Sequence, residues 1–107
     1  MPRGPKFVLI FAPEALGHLM VIERKYHRFL RKAIDEQLSY SPEHATRNRK
    51  PLERPAGFGA TWELRCGPHN RFRVFYDVDA SRLTVRILAV GAKEGHRLLI
   101  GGEEFEL

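Results

Sequence analysis

The sequence predicts an α+β domain in which helices cover one face of a small antiparallel β-sheet, in the order β-α-α-β-β-β-α. Two observations lead to this prediction. Residues 16–38 carry apolar side chains at helical spacing, whereas residues 61–93 alternate apolar and polar side chains with the period of two that strands have. A chain of 107 residues can bury one modest core, so residues 1–107 should form a single domain.

The N-terminal part should supply one strand and two helices. Residues 6–12 are apolar on both faces, as a central strand would be. Pro13 and Glu14 then mark the start of a helix. One straight helix through residue 38 would be roughly 37 Å long at ~1.5 Å per residue, which is long for a domain of this size. We therefore expect a helical hairpin that breaks near residues 23–26.

The C-terminal part should contain a loop, three strands and a short helix. Residues 39–59 are polar and contain three prolines and two glycines, which predicts a long irregular connection. Its basic centre includes Arg49 and Lys50, which either belong to a solvated loop or contact phosphate. After the three strands, residues 93–100 are predicted to form one or two turns of helix that end at Gly101.

The three-strand segment should have one apolar face and one face that carries cations. Arg65 in its first strand, and Arg71 and Arg73 in its second, fall opposite the apolar positions. Arg86 of the third strand should lie nearby, and Lys93 follows at the end of that strand. Such a face can bind phosphate, or it can be a solvated surface on which the arginines pair with a glutamate across strands.

The charge balance favours an anionic partner. The chain carries 18 Lys and Arg against 13 Asp and Glu, and three of these acids fall within the last five residues. RNA, DNA or an acidic protein would suit the remaining basic surface, with plain solubility as the alternative. No apolar run approaches the ~20 residues of a membrane helix, and no signal peptide is expected. A single cysteine, Cys66, indicates a reducing cytoplasm.

Metal and cofactor motifs are absent from the sequence. It contains no Gly-rich phosphate loop and no His-Glu-x-x-His, and its five histidines are scattered, so we expect neither a metal nor a cofactor. RNA can be cleaved without a metal when its 2′-OH attacks the adjacent phosphate. That reaction needs cations around the phosphate and groups that transfer protons. Histidine transfers protons readily near neutral pH, which makes His96 the candidate for this role.

Several short motifs occur in a fixed order along the chain. They are Asn-Arg-Lys-Pro-Leu at 48–52, Trp-Glu-Leu-Arg at 62–65, Arg-Phe-Arg-Val-Phe-Tyr-Asp-Val at 71–78, Ile-Leu-Ala-Val-Gly-x-Lys at 87–93 and Arg-Leu-x-Ile-Gly-Gly-Glu-Glu-Phe at 97–105. In this order and spacing the chain resembles the RelE/ParE superfamily of type II toxin–antitoxin toxins. The resemblance implies an antiparallel sheet with an N-terminal helical hairpin and a short C-terminal helix, and an antitoxin that wraps the toxin.

The resemblance also implies roles for individual residues. Arg73 matches the arginine that contacts the scissile phosphate in RNase members, and Arg65 matches a basic position at the end of the preceding strand. Lys93 falls where those members place a basic residue, and His96 lies near a histidine position of HigB-like members. The candidate catalytic residues are therefore Arg73, Lys93 and His96. The candidate RNA-binding residues are Arg65, Arg71, Arg49 and Lys50, of which Arg71 comes from the strand alternation, and Arg49 and Lys50 from the basic loop.

Two departures keep a second function open. RelE itself uses lysines in the region that holds Glu63 here, and a tyrosine at the position that Leu99 occupies. The first hypothesis is a cytoplasmic toxin that cleaves mRNA on the ribosome and is bound by a cognate antitoxin. The alternatives are a ParE-like inhibitor of DNA gyrase without catalytic activity, and a non-toxic basic domain that binds nucleic acid.

Overall fold

The computed structural model describes residues 4–106. Within this range the fold is α+β, as predicted, with the N-terminal helices on one face of a mixed sheet. The seven strands of these residues form one sheet in the order β2-β3-β4-β5-β6-β7, with β1 beside β5. The elements are β1 (Val8–Phe11), α1 (Pro13–Val21), α2 (His27–Leu38), β2 (Arg49–Pro51), β3 (Trp62–Cys66), β4 (Phe72–Asp79), β5 (Thr84–Glu94), β6 (Arg97–Ile100) and β7 (Glu103–Phe105).

The predicted helical hairpin is confirmed. Helix α1 ends because Ile22 takes an extended conformation (φ −77°, ψ 142°), and a 3₁₀ turn over Arg24–Tyr26 leads into α2. Helix α2 buries Leu30, Ile34 and Leu38, which recur every four residues and so lie on one side of the helix. The stripe packs against the sheet, and the charged residues of α2 face outward.

The main core lies between the helices and the sheet. Phe72, Val74 and Tyr76 of β4 are fully buried there, as the alternation predicted. The Tyr76 hydroxyl donates a hydrogen bond to the Pro42 carbonyl (2.8 Å), and burial raises the pKa of this phenol. Burial also raises the pKa of the Cys66 thiol to about 11, so Cys66 stays protonated at neutral pH and serves as an apolar core residue.

The prediction of a C-terminal helix is wrong, because residues 94–105 form two β-hairpins. Strand β6 pairs antiparallel with β5, and β7 pairs antiparallel with β6. The second turn consists of Gly101 (φ +64°) and Gly102 (φ +83°), a left-handed pair that suits a two-residue hairpin. Leu98 and Ile100 are buried at alternate positions, so the local period is two rather than 3.6.

The prediction of a central N-terminal strand is also wrong. Among the described strands, β1 pairs with β5 alone, in parallel, with Val8 beside Thr84 and Phe11 beside Ile87. Leu9 and Phe11 pack toward the helices, whereas Val8 and Ile10 remain exposed on the other side. The β-branched and aromatic composition of β1 therefore correctly predicted that these residues form a strand. It did not predict that this strand has a neighbour on one side alone among the described residues.

Strands β1 and β6 pair with the same edge of β5, one after the other, and His18 lies in the gap between them. Strand β1 pairs with β5 as far as Ile87, and β6 begins to pair at Gly91. In this gap the Val90 N–H donates to Nδ1 of His18 on α1 (3.3 Å). The imidazole thus accepts the hydrogen bond that a neighbouring strand would otherwise accept, and it must be neutral at Nδ1 to do so.

We expect the free energy of unfolding to fall by about 1 kcal/mol as the pH drops below 6.5, because His18 then loses its acceptor function. Burial lowers the pKa of His18, and the charge of Glu14 partly raises it. The folded protein thus binds this proton less readily than the unfolded chain. The stabilisation is fully present above the ordinary histidine pKa of about 6.5 and is lost as the pH falls through the lowered value. Urea denaturation from pH 7.5 down to 4.5 measures it.

His18→Asn is the matched control for this prediction. An asparagine side-chain oxygen can accept from the Val90 N–H but does not titrate, so part of the pH dependence between 6.5 and 4.5 should disappear. An unchanged pH profile in this variant would assign the pH dependence to other groups.

Candidate functional site

The face of the sheet that points away from the helices carries a pair of arginines. Arg65 of β3 and Arg73 of β4 are direct antiparallel partners. Direct partners place their Cβ atoms about 4.5–5.5 Å apart on the same side of a sheet. The neighbours Phe72 and Val74 point to the opposite side, into the main core. The structure therefore brings Arg65 and Arg73 together on the face that the alternation predicted for them.

Glu63 binds both guanidinium groups. Its Oε1 lies 2.5 Å from Nε of Arg65 and 3.6 Å from Nη1 of Arg73. The Glu63 side chain is only 6% exposed, so this carboxylate is held among its neighbours rather than solvated. The sequence offered one signal for it, since Glu63 stands two residues before Arg65 and must share its side of the strand. Glu63 is therefore part of the candidate site, because its carboxylate contacts both arginines.

Arg73 is the more enclosed of the two arginines. Its side chain is 14% exposed, and its Nε donates to the Asn70 carbonyl (3.1 Å). Burial lowers the pKa of Arg73, the nearby charge of Arg65 lowers it further, and Glu63 partly raises it. Arginine nevertheless stays protonated in proteins, so two positive charges face one negative charge. The excess charge is available to an anion.

Two lysines extend this surface on either side. Lys50 of β2 is the direct partner of Glu63 and so lies on the same side of the sheet. Gly91 of β5 is the partner of Arg73, and Lys93 follows two residues later on that same side. We refer to Lys50, Glu63, Arg65, Arg73 and Lys93 together as the cationic face.

Arg71 does not belong to the cationic face, although the alternation of side chains along β4 predicted that it would lie beside Arg73. Its backbone is helical (φ −63°, ψ −36°) because it ends the 3₁₀ turn that precedes β4. The guanidinium lies over the rings of Tyr26 (5.7 Å) and Phe72 (5.4 Å) and 3.8 Å from Glu94. The two rings belong to the main core, so Arg71 faces the helix side of the sheet.

Arg49 is also separated from the cationic face. It neighbours Lys50 in β2 and therefore points to the helix side, where it is buried. Its guanidinium donates to the carbonyls of Gln37 and His44, which ties the end of α2 to the connection that follows. This connection, predicted to be irregular, contains β2 and is anchored by Arg49. Its contacts make Arg49 a structural residue.

His96 stands at the tip of the β5–β6 hairpin. It is exposed in the turn between Glu94 and Arg97, whereas Lys93 is partly buried in β5. The Lys93 N–H donates to the Arg71 carbonyl (2.7 Å), which fixes the base of the hairpin against the start of β4. The structure therefore places His96 beyond Lys93, at the margin of the cationic face.

A packed apolar cluster borders the cationic face. Phe75, Ala89, Leu98 and Ile100 are buried on this side of the sheet. The Phe58 ring covers them, with its centroid 5.6 Å from that of Phe75. The site is therefore an open charged surface beside a second small core, and that core keeps β4 and β5 in place beneath it.

We expect Gly91→Ala to lower the free energy of unfolding by about 1–3 kcal/mol, because the strands approach too closely for a side chain. A Cβ on Gly91 would lie 2.6 Å from the Leu99 carbonyl oxygen and 2.9 Å from Cγ1 of Ile100. To relieve these contacts, β6 must move away from β5. Chemical denaturation measures the loss. Gly17→Ala in α1 is the control, since its Cβ would meet no atom within 4 Å, and its stability should not fall.

The described residues offer no obvious metal site and no membrane-spanning helix. Across residues 4–106, no group of three or more His, Cys, Asp or Glu side chains is placed to hold a metal ion. No helix in this range is long and apolar enough to cross a bilayer.

Comparisons with known proteins give a likeness among solved structures. No protein-family model matches the chain, and a search of curated proteins finds no significant match. Among solved structures, the chain is similar to a chain in the crystal structure of the toxin–antitoxin complex RelBE2 from Mycobacterium tuberculosis. The TM-score is 0.69 at 24% sequence identity, and the alignment covers 86% of this chain and 98% of the other.

The chain therefore has the fold of the matched chain of the RelBE2 toxin–antitoxin complex. The resemblance drawn from the sequence motifs is thus confirmed for the fold, with the C-terminal strands in place of the expected helix.

Proposed function

We propose that the protein is the toxin of a type II toxin–antitoxin system that acts in the cytoplasm and cleaves mRNA on the ribosome. The observation that carries this proposal is the pairing of Arg65 and Arg73 across two strands, with the Glu63 carboxylate between them. The RelE-like fold supports the toxin class. A cognate antitoxin is the proposed protein partner, and the related complex RelBE2 contains both components.

The two arginines suit an RNA phosphate. A guanidinium group donates two parallel hydrogen bonds to phosphate oxygens. Two adjacent guanidinium groups can also stabilise the negative charge that develops on these oxygens as a fifth oxygen approaches phosphorus. Lys93 and Lys50 flank them on the same face and can contact the neighbouring phosphates of the strand. The Arg73 guanidinium is held by Asn70 and Glu63, so binding a phosphate would cost this side chain little conformational entropy.

Proton transfer would use one group beside these arginines and one at the margin of the cationic face. The 2′-OH loses its proton as its oxygen attacks phosphorus, the bond from phosphorus to the 5′ oxygen breaks, and that oxygen takes up a proton. Glu63 is the carboxylate that contacts both guanidinium groups, which makes it the proposed proton acceptor. His96, at the margin of the face, is the proposed donor to the leaving oxygen.

A translation extract with a defined mRNA tests this function. The purified toxin should cut the ribosome-bound message and leave fragments that end in a 2′,3′-cyclic phosphate and begin with a 5′-OH, because those ends follow from attack by the 2′-OH. The same RNA without ribosomes should be cut far more slowly. Intact mRNA in the extract, or fragments that begin with a 5′ phosphate, would contradict the proposal.

A non-catalytic toxin that inhibits DNA gyrase is the second candidate. One observation favours it, namely that Leu99, at the position where RelE has a tyrosine, pairs with Ala92, which packs against the main core. Leu99 therefore lies on the helix side of the sheet, away from the cationic face, and has no hydroxyl. Inhibition of gyrase supercoiling by the purified protein, with translation unaffected, would select this candidate. Cleavage of mRNA together with normal supercoiling would exclude it.

A further inference from the structure

A cavity of about 490 Å³ opens beside the apolar cluster that borders the cationic face. Phe58 and Phe105 line it with aromatic rings, and Leu88 and Ile100 add aliphatic side chains. The centroids of the two rings lie 5.4 Å apart. Both phenylalanines are only partly buried, so each keeps some surface for a ligand. Sites for small molecules commonly have such a volume and such walls.

Acidic groups converge on the same cavity. Glu14 at the start of α1 and Glu103 of β7 line it with exposed side chains. Within residues 4–106 neither carboxylate takes part in an ion pair, whereas Glu104 pairs with Arg97 at 3.5 Å. Glu103 is the direct partner of Ile100 and therefore lies on the same side of the sheet as the apolar cluster. The cavity thus has acceptors that no described cation occupies.

His18 adds a hydrogen-bond donor to these acceptors. It lines the cavity, and its Nδ1 accepts from the Val90 N–H. A neutral imidazole that accepts at Nδ1 carries its proton on Nε2. Among the described residues, none bonds to this Nε2. The cavity therefore combines carboxylate acceptors and one imidazole donor with aromatic walls.

We propose that this cavity binds a guanine base. Guanine presents two adjacent N–H donors, at N1 and at the 2-amino group, which match the two oxygens of one carboxylate. Its O6 lies next to N1 and can accept from the Nε2–H of His18. Glu103 is the carboxylate assigned to the two donors, because it shares its side of the sheet with Phe105 and Ile100. The flat base stacks on the rings of Phe58 and Phe105.

The other bases fit this set of groups less well. Adenine, cytosine and uracil each have one donor group on the corresponding edge, with an acceptor beside it. A carboxylate that accepts from this donor would bring its second oxygen against the acceptor, and two acceptors repel each other. Guanine is the base whose edge avoids this repulsion.

The cavity also lies close to the proposed phosphate site. Arg73 pairs with Gly91, and Gly91 pairs with Ile100, so Arg73 and Ile100 stand on one line across β4, β5 and β6. Two strand spacings of ~4.8 Å separate these residues by roughly 10 Å. The carboxylates repel phosphate, so a nucleotide held here would direct its base into the cavity and its phosphate toward the arginines.

Guanine can come from two sources. One source is the message, in which a guanosine next to the cut would enter the cavity, and this case rests on the proposed RNA cleavage. The other source is a free guanine nucleoside, which requires no catalytic activity. The groups that recognise the base are the same in both cases.

Guanosine is the probe for binding, and inosine is the matched comparison because it lacks only the 2-amino group. NMR spectra of the full protein are recorded as each nucleoside is added. Guanosine should shift the signals of Phe58, Phe105 and Ile100, with half-saturation below about 1 mM. Inosine should bind about tenfold more weakly, because one of the two bonds to the carboxylate is lost.

Variants locate the binding. Glu103→Gln should weaken guanosine binding about tenfold, because an amide has one oxygen in place of two. Phe58→Leu removes the ring and should weaken all nucleosides, and Phe105→Leu repeats this test if the first variant does not fold. Glu53→Gln is the control, since Glu53 is exposed and lies outside the cavity. Arg73→Ala should bind guanosine as the wild type does, which separates this site from the phosphate site.

The translation extract identifies the source of the guanine. Messages that carry guanosine or inosine next to the cut are compared. Slower cleavage at inosine in the wild type, but not in Glu103→Gln, assigns the cavity to the message. Equal cleavage together with guanosine binding assigns it to the free nucleoside. Guanosine binding without cleavage of any message would contradict the proposed function and still support this inference.

Three results would overturn the proposal. The first is the absence of shifts at Phe58 and Phe105 with guanosine at about 2 mM. The second is equal binding of guanosine and inosine. The third is guanosine binding at the wild-type level in both Glu103→Gln and Glu14→Gln, since the carboxylates would then not recognise the base.

Discussion

Replacing Arg73 with alanine should lower the rate of ribosome-dependent mRNA cleavage by about 100- to 1,000-fold. Removing one preorganised donor to a charged transition state typically has an effect of this size. Arg73 is oriented by Asn70 and Glu63, so it is the guanidinium of the pair that is most firmly held. Primer extension on a defined message in a translation extract measures the initial rate. The variant should still fold, because Arg65 still pairs with the Glu63 carboxylate.

Two further variants separate catalysis from charge. Arg73→Lys keeps the positive charge but cannot donate in a bidentate fashion, so it should recover only a small part of the rate. Arg86→Ala removes an exposed arginine whose partner is Asp77 (2.8 Å), outside the cationic face, and should cleave at the wild-type rate. Equal rates for wild type and Arg73→Ala would exclude this face as the catalytic site.

Replacing Glu63 with glutamine should lower the free energy of unfolding by about 3 kcal/mol. The change keeps the shape of the side chain but leaves two adjacent guanidinium groups without their carboxylate, and removing one partner of a buried ion pair commonly costs about 3–5 kcal/mol. We expect the low end of that range because Arg65 is 36% exposed. Urea denaturation at neutral pH measures the loss. Cleavage should also fall, since glutamine accepts no proton.

Glu36→Gln is the control for the stability effect. Glu36 pairs with Lys32 at 3.8 Å on the surface of α2, where such a pair contributes a few tenths of a kcal/mol. A loss at Glu63 no larger than the loss at Glu36 would mean that solvent, rather than the carboxylate, stabilises the two arginines.

The side-chain alternation in residues 62–66 and 72–79 was sufficient to predict the core and the central pair of the site. It placed Leu64, Val74 and Tyr76 in the core and Arg65 and Arg73 on the opposite face, and the structure agrees. Alternation succeeds here because each of these strands is regular and pairs on both sides.

The same rule failed where the backbone leaves strand geometry or where tertiary context decides. Arg71 ends a 3₁₀ turn, so its side chain does not share a face of the sheet with Arg73 as strand geometry would require. Arg49 sits in a short strand that could not be recognised within a polar loop, and its burial depends on the carbonyls of Gln37 and His44. The second C-terminal hairpin is indicated by the glycines at 101 and 102, a turn signal that also occurs at the end of a helix.

The parallel pairing of β1 with β5 has a consequence for how the chain folds. It joins residues 8–11 to residues 84–87, across most of the sequence. Contacts between such distant residues form late, because closing a long loop costs chain entropy before any contact compensates for it. During synthesis, β1 can therefore pair with β5 only after residues 84–87 have been made. Since β5 also borders β4, the surface around Arg73 is complete only after β5 has been made and paired.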